Sequence, residues 1–135
     1  AKLTLARLHK KIANQRNDFH WQVAHRLVAE YALICLESLN LKAMQKRFGR
    51  KISDLGFADF VDKLKYLSNK TGSFVIEIDR FYPSSQICSA CGYQNTKIKN
   101  LEIREWVCPE CGSTHNRDRN ASINIEREGI RIFFA

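Results

Sequence analysis

A chain of 135 residues that is 44% hydrophobic and 27% charged has the material for about one packed domain and a small satellite. Its 22 Lys+Arg against 14 Asp+Glu leave a net charge of +8, which favours a polyanionic partner, nucleic acid before an anionic membrane. No apolar stretch approaches the roughly 20 residues of a membrane-spanning helix, and nothing marks a small-molecule substrate.

From Lys2 to about Ala29, Leu5, Leu8, Ile12, Phe19, Val23 and Leu27 recur every three or four residues without Gly or Pro, predicting a long amphipathic helix with those residues inward. His9, His20 and His25 on it read as surface or half-buried residues. Tyr31 to Leu36 is apolar on both alternating faces, as in a strand buried within a parallel sheet, and it stops at Glu37. Leu41 to Lys51 carries Lys42, Lys46, Arg47, Arg50 and Lys51 with no acidic residue between them, a basic loop or short helix. Ser53 is placed to cap a second amphipathic helix with Leu55, Phe57, Phe60, Leu64 and Leu67 inward, and Gly72 ends it. Ser73 to Asp79 reads as a second strand, and Asp118 to about Glu128 as a short closing helix.

The charge is uneven along this order. Residues 1–86 hold 15 Lys+Arg against 8 Asp+Glu, whereas residues 87–135 hold 7 against 6. Phosphate contacts are therefore expected mainly in the first part of the chain.

Cys88, Cys91, Cys108 and Cys111 form two C-x-x-C knuckles sixteen residues apart. Each can curl one turn around an ion, and the trailing Gly92 and Gly112 tolerate the positive φ needed where the chain turns away. Four soft thiolates fill a tetrahedral zinc shell and leave no open position, so such a metal is structural. Two disulfides or a redox dithiol are the rival readings. Cys35, flanked by Ile34 and Leu36, reads as a buried core thiol. Trp106 is expected to pack the knuckles together, Tyr93 to pack or stack on bases, and His115 to serve the loop or contact phosphate rather than ligate. The order helix, strand, helix, strand, ribbon, helix is α/β with an inserted zinc ribbon.

Two carboxylates stand out by position. Glu37 ends a buried strand, where open α/β sheets place their sites, and Asp118 opens the last helix. Each has a plain alternative, Glu37 as a solvated strand end and Asp118 as a helix N-cap.

The segment from Tyr31 to Lys42, with Leu33-Ile34-Cys35-Leu36-Glu37-Ser38-Leu39-Asn40-Leu41-Lys42, resembles the "IVIEDLNLKGM" segment of the TnpB/OrfB proteins of bacterial insertion sequences. Arg80 to Gly92 resembles the approach to that family's zinc ribbon, and Arg117-Asp118-Arg119-Asn120-Ala121 its closing "RDxNA" box. The resemblance covers nearly the whole chain. It implies a RuvC-like nuclease with an RNase H-like core, RNA-guided DNA cleavage with Mg²⁺, and DNA and a guide RNA as partners in the bacterial cytoplasm at the nucleoid. On it, residues 1–86, completed by 115–135, are part of the nuclease core, and residues 87–114 are the ribbon. Glu37 then matches the second acidic motif and Asp118 the third, as oxygen ligands for Mg²⁺. Lys42, Lys46, Arg47, Arg50, Lys51, Arg117 and Arg119 become candidate nucleic-acid contacts.

Two departures qualify the resemblance. Asn116 stands where many relatives have Asp, and the family's first acidic motif, on the first strand of the core, has no counterpart here. The strand through Cys35 is then left with an open edge. The expectation is a C-terminal piece that does not cleave DNA by itself. The alternatives are a catalytically inactive remnant that binds nucleic acid through its ribbon and, in another class, a ribbon that binds protein.

Overall fold

The computed structural model describes residues 2–49 and 55–135, without the side chains of Arg47 and Phe48. The expected cap at Ser53 and the cations Arg50 and Lys51 lie outside the described residues. The elements are α1 (Lys2–Glu30), β1 (Leu33–Glu37), α2 (Leu41–Phe48), α3 (Phe57–Thr71), β2 (Phe74–Ile78), a 3₁₀ turn (Thr96–Lys99), β3 (Glu105–Val107), β4 (Thr114–Asn116) and α4 (Arg117–Phe133). They fall into two compact units, residues 1–34 with 39–75 and residues 35–38 with 76–135.

In the first unit α1 packs on α3. The buried positions of α1 are His20, Ala24 and Val28, spaced by four along one face, and they share that unit's interior with Leu64 and Leu67 of α3. The expected inward stripe is only partly inward, since Leu5, Leu8, Ile12 and Phe19 are all more than half exposed. Length explains Leu5, Leu8 and Ile12, whereas Phe19 lies one position off the His20, Ala24, Val28 row and so faces outward. At about 1.5 Å per residue, the 15-residue α3 is half as long as the 29-residue α1 and covers only its second half. Leu55 and Phe57 are also exposed, while Gly72 ends α3 as expected, its N–H donating to the Ser68 carbonyl at 3.0 Å. The basic stretch starting at Leu41 is helical through Phe48, opened by the Asn40 side chain, which accepts from the Ala43 N–H at 3.1 Å.

Asp59 joins two buried cations or potential cations in this unit. Its carboxylate accepts from the Lys63 ammonium one turn along and lies 3.4 Å from Nδ1 of His20 on α1. Lys63 in turn lies 5.3 Å from the centre of the Trp21 ring. The Lys63 hydrogen bond, with help from His20, holds the Asp59 carboxyl below its ordinary range. A carboxyl depressed in the fold stabilises it above the unfolded-state value and loses that contribution as pH falls through the folded value. The urea midpoint of the chain is therefore expected to fall more steeply below about pH 4 than that of Asp59→Asn; parallel profiles would remove this role from Asp59.

β1 and β2 form a two-stranded sheet. The Phe74 N–H donates to Ala32 and the Ser38 N–H to Ile78, so the pairing advances in the same direction along both strands and is parallel. Among the described residues no strand pairs with the other edge of β1. Only Ile34 of β1 is buried, the rest of the strand being half-buried. No helix among the described residues is long and apolar enough to cross a membrane.

Candidate metal ribbon and its helix clamp

The two knuckles fold by the same local rule. The Gly92 N–H donates to the Cys88 carbonyl and the Gly112 N–H to that of Cys108, at 2.8 and 2.9 Å, and both glycines take positive φ, +82° and +73°. The Cys88 and Cys108 N–H groups then donate to Tyr93 and Ser113. β3 and β4 pair antiparallel, with Trp106 opposite His115. Trp106 packs with Cys88, Cys108 and Ile98 against Ile103, as expected of it.

The four sulfurs lie within 4.8 Å of one another, with Cys88 to Cys111 and Cys91 to Cys108 both 3.7 Å. A tetrahedral ion with metal–sulfur bonds of about 2.3 Å sets its sulfurs about 3.8 Å apart, so the set has the spacing for a metal such as zinc. Bridged sulfurs would lie about 2.05 Å apart, and all four thiols are free. Among the described residues this is the one group of three or more such side chains that could hold a metal.

α4 is clamped to the first knuckle by side chains on one face. Asn120 donates to the Ile87 carbonyl at 2.7 Å and accepts from the Ser89 N–H at 2.9 Å, satisfying both ends of its amide. One turn on, Asn124 donates to Ser84 and Ile87, and Arg127 donates to the Ser89 carbonyl. Both asparagines are nearly fully buried. Asn120 belongs to the box matched in the sequence without a role assigned to it, and Asn124 and Arg127 carry no motif, although two Asn residues at i and i+4 inside a helix go against helix preference and signal side-chain bonding.

The carboxylates sit in different surroundings. Glu37 is half-buried at the end of β1, and burial raises its carboxyl above the ordinary range. Asp118 is exposed in the first turn of α4, 3.5 Å from the Arg104 guanidinium beside β3. The N-cap is Asn116, whose side chain accepts from the Arg119 N–H at 3.1 Å, so Asp118 is free of the capping role. Of the candidate nucleic-acid contacts, Lys42, Lys46 and Arg119 are exposed. Arg117 is buried and donates to the Asn100 carbonyl and the Ser85 hydroxyl. Cys35 is half-buried, its thiol 3.8 Å from the Glu126 carbonyl and its side chain filling the space above Gly129.

A four-cysteine ribbon held against a helix, in a chain that also carries a parallel strand pair, defines this as an α/β protein with a candidate metal ribbon. The family model described as Cas12f1-like, TNB domain, matches residues 57–125, and the chain belongs to that family. It is of TnpB type. It is 36% identical to a "Putative RNA-guided DNA endonuclease" of Streptomyces pristinaespiralis over 96% of this chain and 32% of that protein. TnpB-like protein L79 of Acanthamoeba polyphaga mimivirus is 30% identical over 96% of this chain and 26% of its own length. The CRISPR-associated DNA-binding protein Cas12m of Pelobacter propionicus is 26% identical over 94% and 21%. A chain of the cryo-EM structure of the Cas12f1-sgRNA-target DNA complex shares the fold, with a TM-score of 0.67 and 20% identity over 90% of this chain and 36% of that one. The chain thus spans about a third or less of the length of these relatives.

Proposed function

We propose that this chain is the C-terminal part of an RNA-guided DNA endonuclease of the TnpB type, with DNA and a guide RNA as partners. Residues 1–86 and 115–135 form part of a RuvC-like, RNase H-like core, and residues 87–114 form a structural zinc ribbon. The observation that carries this reading is the match to such relatives over nearly the whole chain, with Glu37 and Asp118 in the same compact unit as the thiol cluster. These two carboxylates are the residues that would hold Mg²⁺, and when bound such an ion activates water and stabilises the leaving oxygen of a phosphodiester. The raised Glu37 carboxyl must lose its proton to serve as an oxygen ligand, so ion binding there strengthens as pH rises through the carboxyl's elevated range.

Charge supports a division of labour. Residues 1–34 and 39–75 hold 14 Lys+Arg against 5 Asp+Glu, while the remaining residues hold 8 against 9. Phosphate binding is assigned to the first set, with Lys42 and Lys46 on one face of α2. A second reading, a nucleic-acid-binding module without cleavage of its own, is favoured by the Arg104 contact, which places a protein cation against Asp118.

The test is binding of a fluorescent DNA duplex and of a single-stranded RNA across a salt series. The chain is expected to bind both with a steep salt dependence. Lys42→Ala with Lys46→Ala should weaken binding irrespective of sequence and reduce the log–log salt slope by about 1 to 2. An unchanged slope removes these lysines from the interface. With Mg²⁺ the chain alone is expected to leave DNA intact; cleavage that disappears in Glu37→Gln or Asp118→Asn would overturn that expectation and establish a complete site.

A further inference from the structure

His115 lies on β4, and its ring is fixed from two directions. Across the ladder it faces Trp106, with ring centroids 4.8 Å apart at 42°, and that indole is itself 6% exposed among the knuckle residues. On its other side, Nε2 is 3.0 Å from the Cys88 sulfur. Cys88 is one of the two thiols that are almost completely buried, the other being Cys108. Four thiolates around a divalent ion carry a net charge of −2, and a buried sulfur cannot share that charge with water.

We propose that His115 is a positioning residue of the metal ribbon: its imidazole donates an Nε2–H hydrogen bond to the Cys88 thiolate and holds that ligand in the metal's shell. This rests on the zinc reading above. Geometry separates a donor from a ligand that replaces one of the four sulfurs. With metal–nitrogen and metal–sulfur bonds of about 2.0 and 2.3 Å, a nitrogen sharing a tetrahedral shell with sulfur would sit about 3.5 Å from it. Nε2 lies well inside that distance, on a sulfur set that already has tetrahedral spacing. A donor in this role orients the ligand and screens its charge, and removing such a partner characteristically lowers metal affinity 10- to 100-fold. The position also matters along the chain, because the next residue, Asn116, caps α4.

The experiment uses cobalt(II) and zinc on the whole chain. His115→Phe keeps a ring against Trp106 but has no donor; His115→Gln keeps an N–H of similar reach. All three proteins are expected to give the same tetrathiolate cobalt spectrum. Zinc affinity against a chromophoric chelator should fall about 10- to 100-fold in His115→Phe and return to within about threefold of the parent in His115→Gln. Equal affinities in parent and His115→Phe, or a cobalt spectrum that loses a nitrogen ligand on substitution, would overturn the proposal. A parent that takes up no metal overturns the zinc reading and the proposal together, and the parent alone reveals it. A direct readout needs no variant: in the ¹¹³Cd-loaded parent, the Hε2 proton of His115 should couple to cadmium through the Cys88 sulfur. Absence of that coupling in an assigned spectrum overturns the hydrogen bond.

Discussion

Stripping metal from the thiols with a chelator is expected to unfold the ribbon from about Ile87 to Asn116 while α1 and α3 stay helical. The apolar interior of the ribbon is small: Ile98, Trp106 and the two buried cysteines, with Ile103 against them. Burying Ile98 and Trp106 contributes on the order of 1.5–3 kcal/mol each. Ordering the loops around them costs roughly 1–2 kcal/mol per residue. β3 and β4, at three residues each, add little. On the zinc reading proposed above a metal meets the deficit, since zinc binding to such small sites contributes about 10–16 kcal/mol at neutral pH. Cys88→Ser and Cys108→Ser should be the most damaging substitutions, because they remove a ligand and also a packed group, whereas Cys91 and Cys111 are exposed. Amide hydrogen exchange with and without chelator measures this. Protection of the Trp106 and Cys108 amides that survives metal removal would refute it.

Gly129→Ala is expected to destabilise residues 35–38 and 76–135 by about 1–3 kcal/mol, even though alanine is the better helix former by about 1 kcal/mol. Gly129 is buried on α4 directly under Cys35 of β1. A methyl group there would run into the Cys35 sulfur and lie 2.7 Å from its Cβ, while the Cys35 Cα is 3.8 Å away, at ordinary contact distance. Relief is therefore graded. Cys35→Ala removes the sulfur but leaves the Cβ clash, and Cys35→Gly clears both. In urea melts of the double variants, Cys35→Gly should recover stability lost in Gly129→Ala, apart from its own strand cost, and Cys35→Ala only part of it. Additive losses in both double variants would mean that the two residues do not oppose each other. The displaced strand carries Glu37 two residues on, so on the proposed reading the same substitution also disturbs the carboxylate.

Much of this was legible in the sequence, and the gaps have physical causes. The knuckles were readable because thiol spacing and a trailing glycine fix a turn by local geometry alone. α1, α3 and β2 were readable from period and from Gly72. The inward face of α1 was not, because periodicity marks an apolar stripe without revealing how far its partner extends; α3 runs out before Leu5, Leu8 and Ile12. The closing helix reaches Phe133 rather than Glu128. Within it, Gly129 reads as a helix breaker until Cys35 is seen to occupy the space above it. Asp118 looked like a cap because Asp is a capping residue. The chain gave that role to Asn116, two residues earlier, and a sequence offers no way to choose between two good caps so close together. His115 required the β3–β4 register, a nonlocal fact that turns an ordinary loop histidine into a neighbour of Cys88.

The asparagine clamp carries a consequence for binding equilibria. Asn120, Asn124 and Arg127 find their partners on the folded knuckle, so on the zinc reading metal occupancy and the seating of α4 form one linked system. Linkage is reciprocal. Whatever factor the metal contributes to the affinity of a ligand that needs α4 seated, that ligand returns to the metal, so a polyanion or cation held by the first turn of α4 would slow metal loss from thiols it never touches.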